Sequence, residues 1–247
     1  MAVVFYPLCG IVVVSFTVIA LYEFFYMVEK KGVRLFKSLG ILVGGLIPIT
    51  IYFKFNVEVG WQFLFVVIGL FVLFLLELTK KEQHQPILSI SATVFGIMYI
   101  SWCFSFVIRI RQLPEGGWLA AFLLLITKSS DVGAYLWGTK FGKTYLAKRV
   151  SPKKSLEGAV GGFLTAALVG LAFSFFIKQL FLWEKLFLIL TLPIIAQLGD
   201  LFESLIKRDC RVKDSGKIFP GMGGVLDVID SIIFTAPIFY LYLTMMR

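Results

Sequence analysis

Eight stretches of the chain stay apolar for about a membrane's thickness, with short polar turns between them. They lie at 6–28, 38–54, 61–79, 87–109, 117–138, 158–178, 184–206 and 226–246. A spanning helix needs about 20 mostly apolar residues, because hydrocarbon offers an open backbone no hydrogen-bond partner. The pattern predicts an all-α, polytopic integral membrane protein with about eight transmembrane helices. The second stretch is interrupted by Gly44, Gly45 and Pro48, and the fifth contains Lys128 and Asp131. Up to about residue 125 the stretches hold few ionisable groups, and most of those lie near the ends. From Lys128 onward acids, bases and glycines enter the stretches themselves. The expected organisation is therefore an N-terminal scaffold, 1–125, and a C-terminal catalytic region, 126–247, within one membrane domain.

Composition sharpens this reading. Of 247 residues 59% are hydrophobic, 16% aromatic and 16% charged, and the mean hydropathy is +0.90. Soluble domains carry roughly 25% charged residues and have no means of hiding so much apolar surface. The net charge of +9 would suggest nucleic acid in a soluble chain. Here the excess follows the rule that Lys and Arg gather in cytoplasmic loops, so no nucleic-acid partner is expected. Seventeen of the basic residues fall in or beside the loops after spans one, three, five and seven, and six in the alternate set. That split expects those four loops in the cytoplasm and both termini outside. The first apolar run has no basic start, so it is expected to stay as a span and not to be cleaved. Cys9, Cys103 and Cys210 show no paired or metal-type spacing, and His84 reads as a solvated loop residue.

Three polar constellations stand out. In TKSSDVGAYLWGTKFGK, Lys128 and Asp131 share a helix face, and Gly133, Gly138 and Gly142 permit close helix approach or a turn. In SPKKSLEGAVGG, Ser155 followed by Glu157 signals a helix start. Lys153 and Lys154 stand just before it, and two ammonium groups with a helix N-terminus can bind an anion. In QLGDLFESLIKRDCRVKDSGKIFPGMGGVLDVID, Asp200, Glu203, Ser204 and Lys207 follow one helical stripe. Asp227, Asp230 and Ser231 repeat the stripe on the last span, and Asp214 lies in the basic connection between. Such stripes require protein or water beside them, so they should face each other. Converging carboxylates need a cation, and oxygen-only ligands suit Mg²⁺ with substrate phosphates. Acids for metal and bases for phosphate equip a site for phosphoryl or nucleotidyl transfer.

The run SLIKRDCRVKDSGKIFPGMGGVLDVID resembles the C-terminal signature of the phosphatidate cytidylyltransferases, or CDP-diacylglycerol synthases. Ser204, Lys207, Arg208, Lys213, Asp214, Gly216, Pro220, Gly221, Gly223, Gly224, Asp227 and Asp230 match it. GDLFES, SPKKSLEG and the stretch from Asp131 to Tyr135 are similar to the family too, so the resemblance covers about 125–247. Met222 stands where the family usually has His, and Val228 where it usually has Arg.

The resemblance implies transfer of a cytidylyl group from CTP to phosphatidate, giving CDP-diacylglycerol and pyrophosphate, in phospholipid biosynthesis. It implies Mg²⁺ held by Asp200 and Asp227, with a second cation as an option. Catalytic roles fall to Asp200, Asp214, Asp227, Asp230, Lys207, Arg208 and Lys213. Substrate-binding roles fall to Lys153, Lys154, Ser204, Gly223, Gly224, Asp131 and Lys128. Arg211 or Lys217 would take the place of the missing arginine. The expected setting is a bacterial inner membrane with the site toward the cytoplasm, membrane lipid around it, and a homodimer as one assembly. The alternatives are another CTP-dependent lipid phosphate transferase or lipid kinase, and an ion-coupled transporter.

Overall fold

The computed structural model describes residues 2–54, 59–79 and 85–245. Lys80, Lys81, His84 and Arg247 lie outside the described residues. Among the described residues nine α-helices run as eight rods where hydropathy places them. They are α1 (Ala2–Lys30), α2 (Lys37–Tyr52), α3 (Val59–Leu78), α4 (Pro86–Gly96), α5 (Cys103–Gln112), α6 (Gly116–Phe141), α7 (Leu156–Ser174), α8 (Leu182–Asp209) and α9 (Val225–Met245). A π-helical turn, Ile97–Trp102, joins α4 and α5 into one rod.

Among the described residues six rods are long and apolar enough to cross a membrane: those containing Pro7–Lys30, Pro86–Gln112, Gly116–Phe141, Leu156–Ser174, Leu182–Asp209 and Val225–Met245. The chain is an integral membrane protein. Of the other two rods, α2 (Lys37–Tyr52) is shorter, at 16 residues, and α3 (Val59–Leu78) has 20. At 1.5 Å per residue a 16-residue helix such as α2 reaches only about 24 Å, short of a hydrocarbon core of about 30 Å. Leu168, Phe175, Leu182 and Trp183 are exposed on the bundle's outside. Lipid, which is as apolar as they are, accounts for that exposure.

Side chains tie the connections into two sets at opposite ends. At one end Lys31 pairs with Asp209 at 2.5 Å, Ser89 Oγ donates to Arg34 O at 2.5 Å, and Arg208 Nε donates to Val150 O at 3.0 Å. At the other end Gln112 Nε2 donates to Ile51 O at 2.9 Å and Gln179 Nε2 to Pro114 O at 2.7 Å. The first end is the basic one, as the alternation of loop charge predicts.

The polar segment between α6 and α7 folds into an antiparallel hairpin, β1 (Tyr145–Ala147) and β2 (Ser151–Ser155). Ser155 then caps α7 by accepting from Gly158 N at 3.0 Å, as its place in the sequence predicts. Glu157 in the first turn reaches back to accept from Lys143 N and Thr144 N, both at 3.1 Å. These bonds pin both feet of the hairpin to the start of α7. Helices α6 and α7 pack at glycine distance. A Cβ at Gly162 would lie 2.6 Å from Ser130 O, and one at Gly133 2.6 Å from Thr165 Cβ.

The expected scaffold and catalytic halves are interleaved. Helices α1 and α5 pack directly on α9. Tyr99, in the π-helical turn, packs on Phe202 of α8 and Phe234 of α9. A single core therefore runs from the first helix to the last.

Candidate active site

The two polar stripes meet at the basic end of the bundle. One carboxylate oxygen from each of Asp200, Glu203 and Asp230 lies within 4.8 Å of the other two. Asp200 and Glu203 are three apart on α8, and Asp230 enters from α9. Asp230 accepts its own helix's Ser231 N at 2.5 Å and, among the described residues, makes no ion pair. Glu203 is fully buried, and its Oε1 has no hydrogen-bond partner among the described residues. An orphaned anionic oxygen among three converging carboxylates fits a hard cation, which takes oxygen ligands and relieves their repulsion.

Three lysines frame the cluster. Lys154, on β2, pairs with Asp200 at 2.5 Å. Lys207 is buried between Glu203 and Asp227, with Asp227 Oδ1 at 2.5 Å. Lys128 donates to Asp131 Oδ2 at 2.8 Å, to Val228 O at 2.7 Å and to Ser231 Oγ at 3.0 Å. Asp131 also accepts from Ser231 Oγ at 3.0 Å, so the expected Lys128–Asp131 pair is bolted to α9. Lys128 thus brings an ammonium onto the backbone of Val228, the residue standing where the family usually has arginine.

Asp227 sits apart from the three-carboxylate group. Its Oδ2 accepts from Ser215 N at 2.9 Å, Ser215 Oγ at 2.7 Å and Gly224 N at 2.7 Å, while Oδ1 holds Lys207. It closes the loop that precedes α9. That loop turns at Phe219–Met222, where Met222 N donates to Phe219 O at 3.1 Å. Pro220 and Gly221 occupy the two central positions, and Gly221 has φ +82°, as a type II turn demands. Met222 is exposed at the tip. Gly223 N donates to Phe219 O and Gly224 N to Asp227, so both N–H groups expected to approach a nucleotide are engaged inside the protein.

Lys153, Arg208, Lys213 and Asp214 are exposed at this end, and Ser204 is buried one turn beyond Asp200. The exposed cations surround the acidic cluster on the hairpin, the end of α8 and the following loop.

Two carboxylates gain importance that the sequence gives only faintly. Glu203 appears in the α8 stripe, three residues from Asp200, and that spacing is its signal. Glu23 of α1 is 4% exposed and accepts from Val225 N at 3.1 Å, Leu226 N at 2.9 Å and Ser215 Oγ at 3.2 Å. Its only sequence signal is an acid inside an apolar run.

A family model described as the cytidylyltransferase family matches residues 1–246. A phosphatidate cytidylyltransferase of Bacillus subtilis is 32% identical over 229 residues, 92% of this chain and 85% of the relative. One of Thermotoga maritima is 36% identical over 170 residues, 66% of this chain and 63% of the relative. An Escherichia coli protein called uncharacterized protein YnbB is 40% identical over 151 residues, 61% of this chain and 50% of that protein. Matched segments thus span about half to five-sixths of these three relatives.

Proposed function

This chain belongs to the cytidylyltransferase family, and because it does, we propose that it transfers a cytidylyl group from CTP to phosphatidate, yielding CDP-diacylglycerol and pyrophosphate. The observation that carries this reading is the meeting of Asp200, Glu203 and Asp230 within 4.8 Å at the end of the bundle that also bears the exposed cations. A water-soluble triphosphate and a lipid phosphate have to meet at such a boundary.

Asp200, Glu203 and Asp230 would hold Mg²⁺, with Asp227 next to them through Lys207. When bound, the ion neutralises triphosphate oxygens and the charge that develops on the leaving pyrophosphate. Lys153, Arg208 and Lys213 remain exposed to bind phosphates as they arrive. Lys154 is on the hairpin and paired with Asp200, so it can exchange that carboxylate for a phosphate oxygen. Phosphatidate is a phosphate monoester, whose second pKa is about 6 by analogy with phosphoserine. Its oxygen attacks the α-phosphorus of CTP, the bond to the β-phosphate oxygen breaks, and pyrophosphate leaves. An ionised nucleophile needs no general base, which suits a site with no histidine among the described residues. The reaction sits in a bacterial inner membrane, with the basic end in the cytoplasm where CTP is.

The decisive experiment uses the purified full chain with CTP labelled at either the α or the γ phosphorus. Cytidylyl transfer puts the α label, and not the γ label, into a phosphatidate-dependent lipid product. A γ label in lipid would make the protein a lipid kinase, and no labelled lipid with phosphatidate would end the proposal.

A further inference from the structure

Glu23 comes from the helix farthest in sequence from the site, yet all its partners among the described residues precede or begin α9. The donors Val225 N and Leu226 N are 202 and 203 residues away in sequence. Burying a carboxylate in a membrane helix is costly unless donors compensate it, and here two backbone N–H groups do, with a share in the single Ser215 hydroxyl hydrogen, which lies nearer Asp227. Glycine at position 224 gives α9 no side chain at its N-cap, and Asp227 reaches back only to Gly224 N, leaving Val225 N and Leu226 N to another partner. A Cβ at Gly224 would lie 2.4 Å from both Glu23 oxygens, and one at Gly216 2.2 Å from Oε1. The two glycines make room for the carboxylate, and Glu23 supplies the cap from another helix.

The contact continues past the cap. Ser215 Oγ lies 3.2 Å from Glu23 Oε2 and 2.7 Å from Asp227 Oδ2. Asp227 holds Lys207 at 2.5 Å, and Lys207 pairs with Glu203 of the acidic cluster. An unbroken chain of polar contacts therefore leads from α1 to an oxygen suited to the metal. We propose that Glu23 is a positioning residue for cation binding and cytidylyl transfer, acting through Ser215, Asp227 and Lys207. This rests on the reaction proposed above. Groups that orient metal ligands without touching the metal commonly matter about 10–100-fold in affinity or rate.

The test uses the full chain in detergent as wild type, E23Q, S215A and the double variant, with S89A as a remote control. Ser89 bonds Arg34 O and lies outside the polar chain. Mn²⁺ affinity is read by electron paramagnetic resonance, and kcat and KM for CTP by phosphatidate-dependent turnover. E23Q is expected to weaken Mn²⁺ binding about tenfold or more and to lower kcat similarly, with KM for CTP within about threefold. S215A should move the same way, and the double variant should be no more than about threefold worse than the worse single, because one path is cut twice. S89A should bind Mn²⁺ normally per folded molecule, even if it melts earlier. Normal Mn²⁺ affinity in E23Q, or losses that multiply in the double variant, overturns the proposal. If E23Q does not fold, S215A decides alone, and wild-type affinity there overturns it. A wild type that transfers cytidylyl groups without binding Mn²⁺ overturns the role of Glu23 and leaves the reaction standing. A wild type that binds Mn²⁺ but leaves CTP intact ends the reaction, and Glu23 is then judged on Mn²⁺ affinity.

Discussion

Asp227 and Asp230 stand one helical turn apart on α9, and their surroundings give them opposite consequences when altered. Asp227 satisfies four contacts: three donors on Oδ2 and Lys207 on Oδ1. Asp227→Asn turns an N–H₂ toward donors and leaves the buried Lys207 short of a partner. Breaking such a pair costs about 3 kcal/mol or more, so a lower melting temperature should accompany a loss of turnover of at least about tenfold. Asp230 faces two further carboxylates and makes no ion pair among the described residues. Asp230→Asn removes one of three crowded carboxyl groups that disfavour one another. Its melting temperature should hold or rise while turnover and Mn²⁺ binding collapse. Thermal unfolding and turnover of the two purified variants check both, and a parallel fall in stability would show that Asp230 has been misassigned.

The contact between α6 and α7 is the element-scale feature on which the site depends. Helix α6 carries Lys128 and Asp131, and α7 anchors the hairpin that carries Lys153 and Lys154. Backbones approach so closely that a Cβ at Gly162 would meet the carbonyl of Ser130 at 2.6 Å and Ala134 Cβ at 2.9 Å. Backbone has little freedom to move aside. Gly162→Val should therefore push the helices apart and lower both the melting temperature and turnover. Val160, exposed on the same helix, should tolerate alanine with no loss of either. Equal behaviour of the two variants would mean that close packing is not what holds α7 in place.

For the molecule as a whole, the orientation proposed above puts the hairpin and the loop before α9 in the cytoplasm. Ser151→Cys should react with a membrane-impermeant maleimide only after the membrane is opened. The native thiol at this end gives little background: burial, with Asp209 beside it, pushes the Cys210 thiol above its ordinary range. Fewer thiolates and restricted access both slow alkylation. Labelling of Ser151→Cys in intact cells would invert the orientation.

The rods, their order and the charge of each end were legible in the sequence because a bilayer imposes a length and an apolarity on each segment separately. Ser155 as a cap, the Pro220–Gly221 turn and the Lys128–Asp131 pair were legible too, since each depends on residues a few positions apart. The α8 and α9 stripes announced that acids would converge. Which acids converge was decided by tertiary structure. Asp200, Glu203 and Asp230 meet because of how α8 and α9 rotate against each other, while the loop takes Asp227 for itself. Glu23 lies beyond any local pattern: its partners are about two hundred residues away, and only packing of α1 on α9 turns an isolated acid in an apolar helix into the cap of the last one.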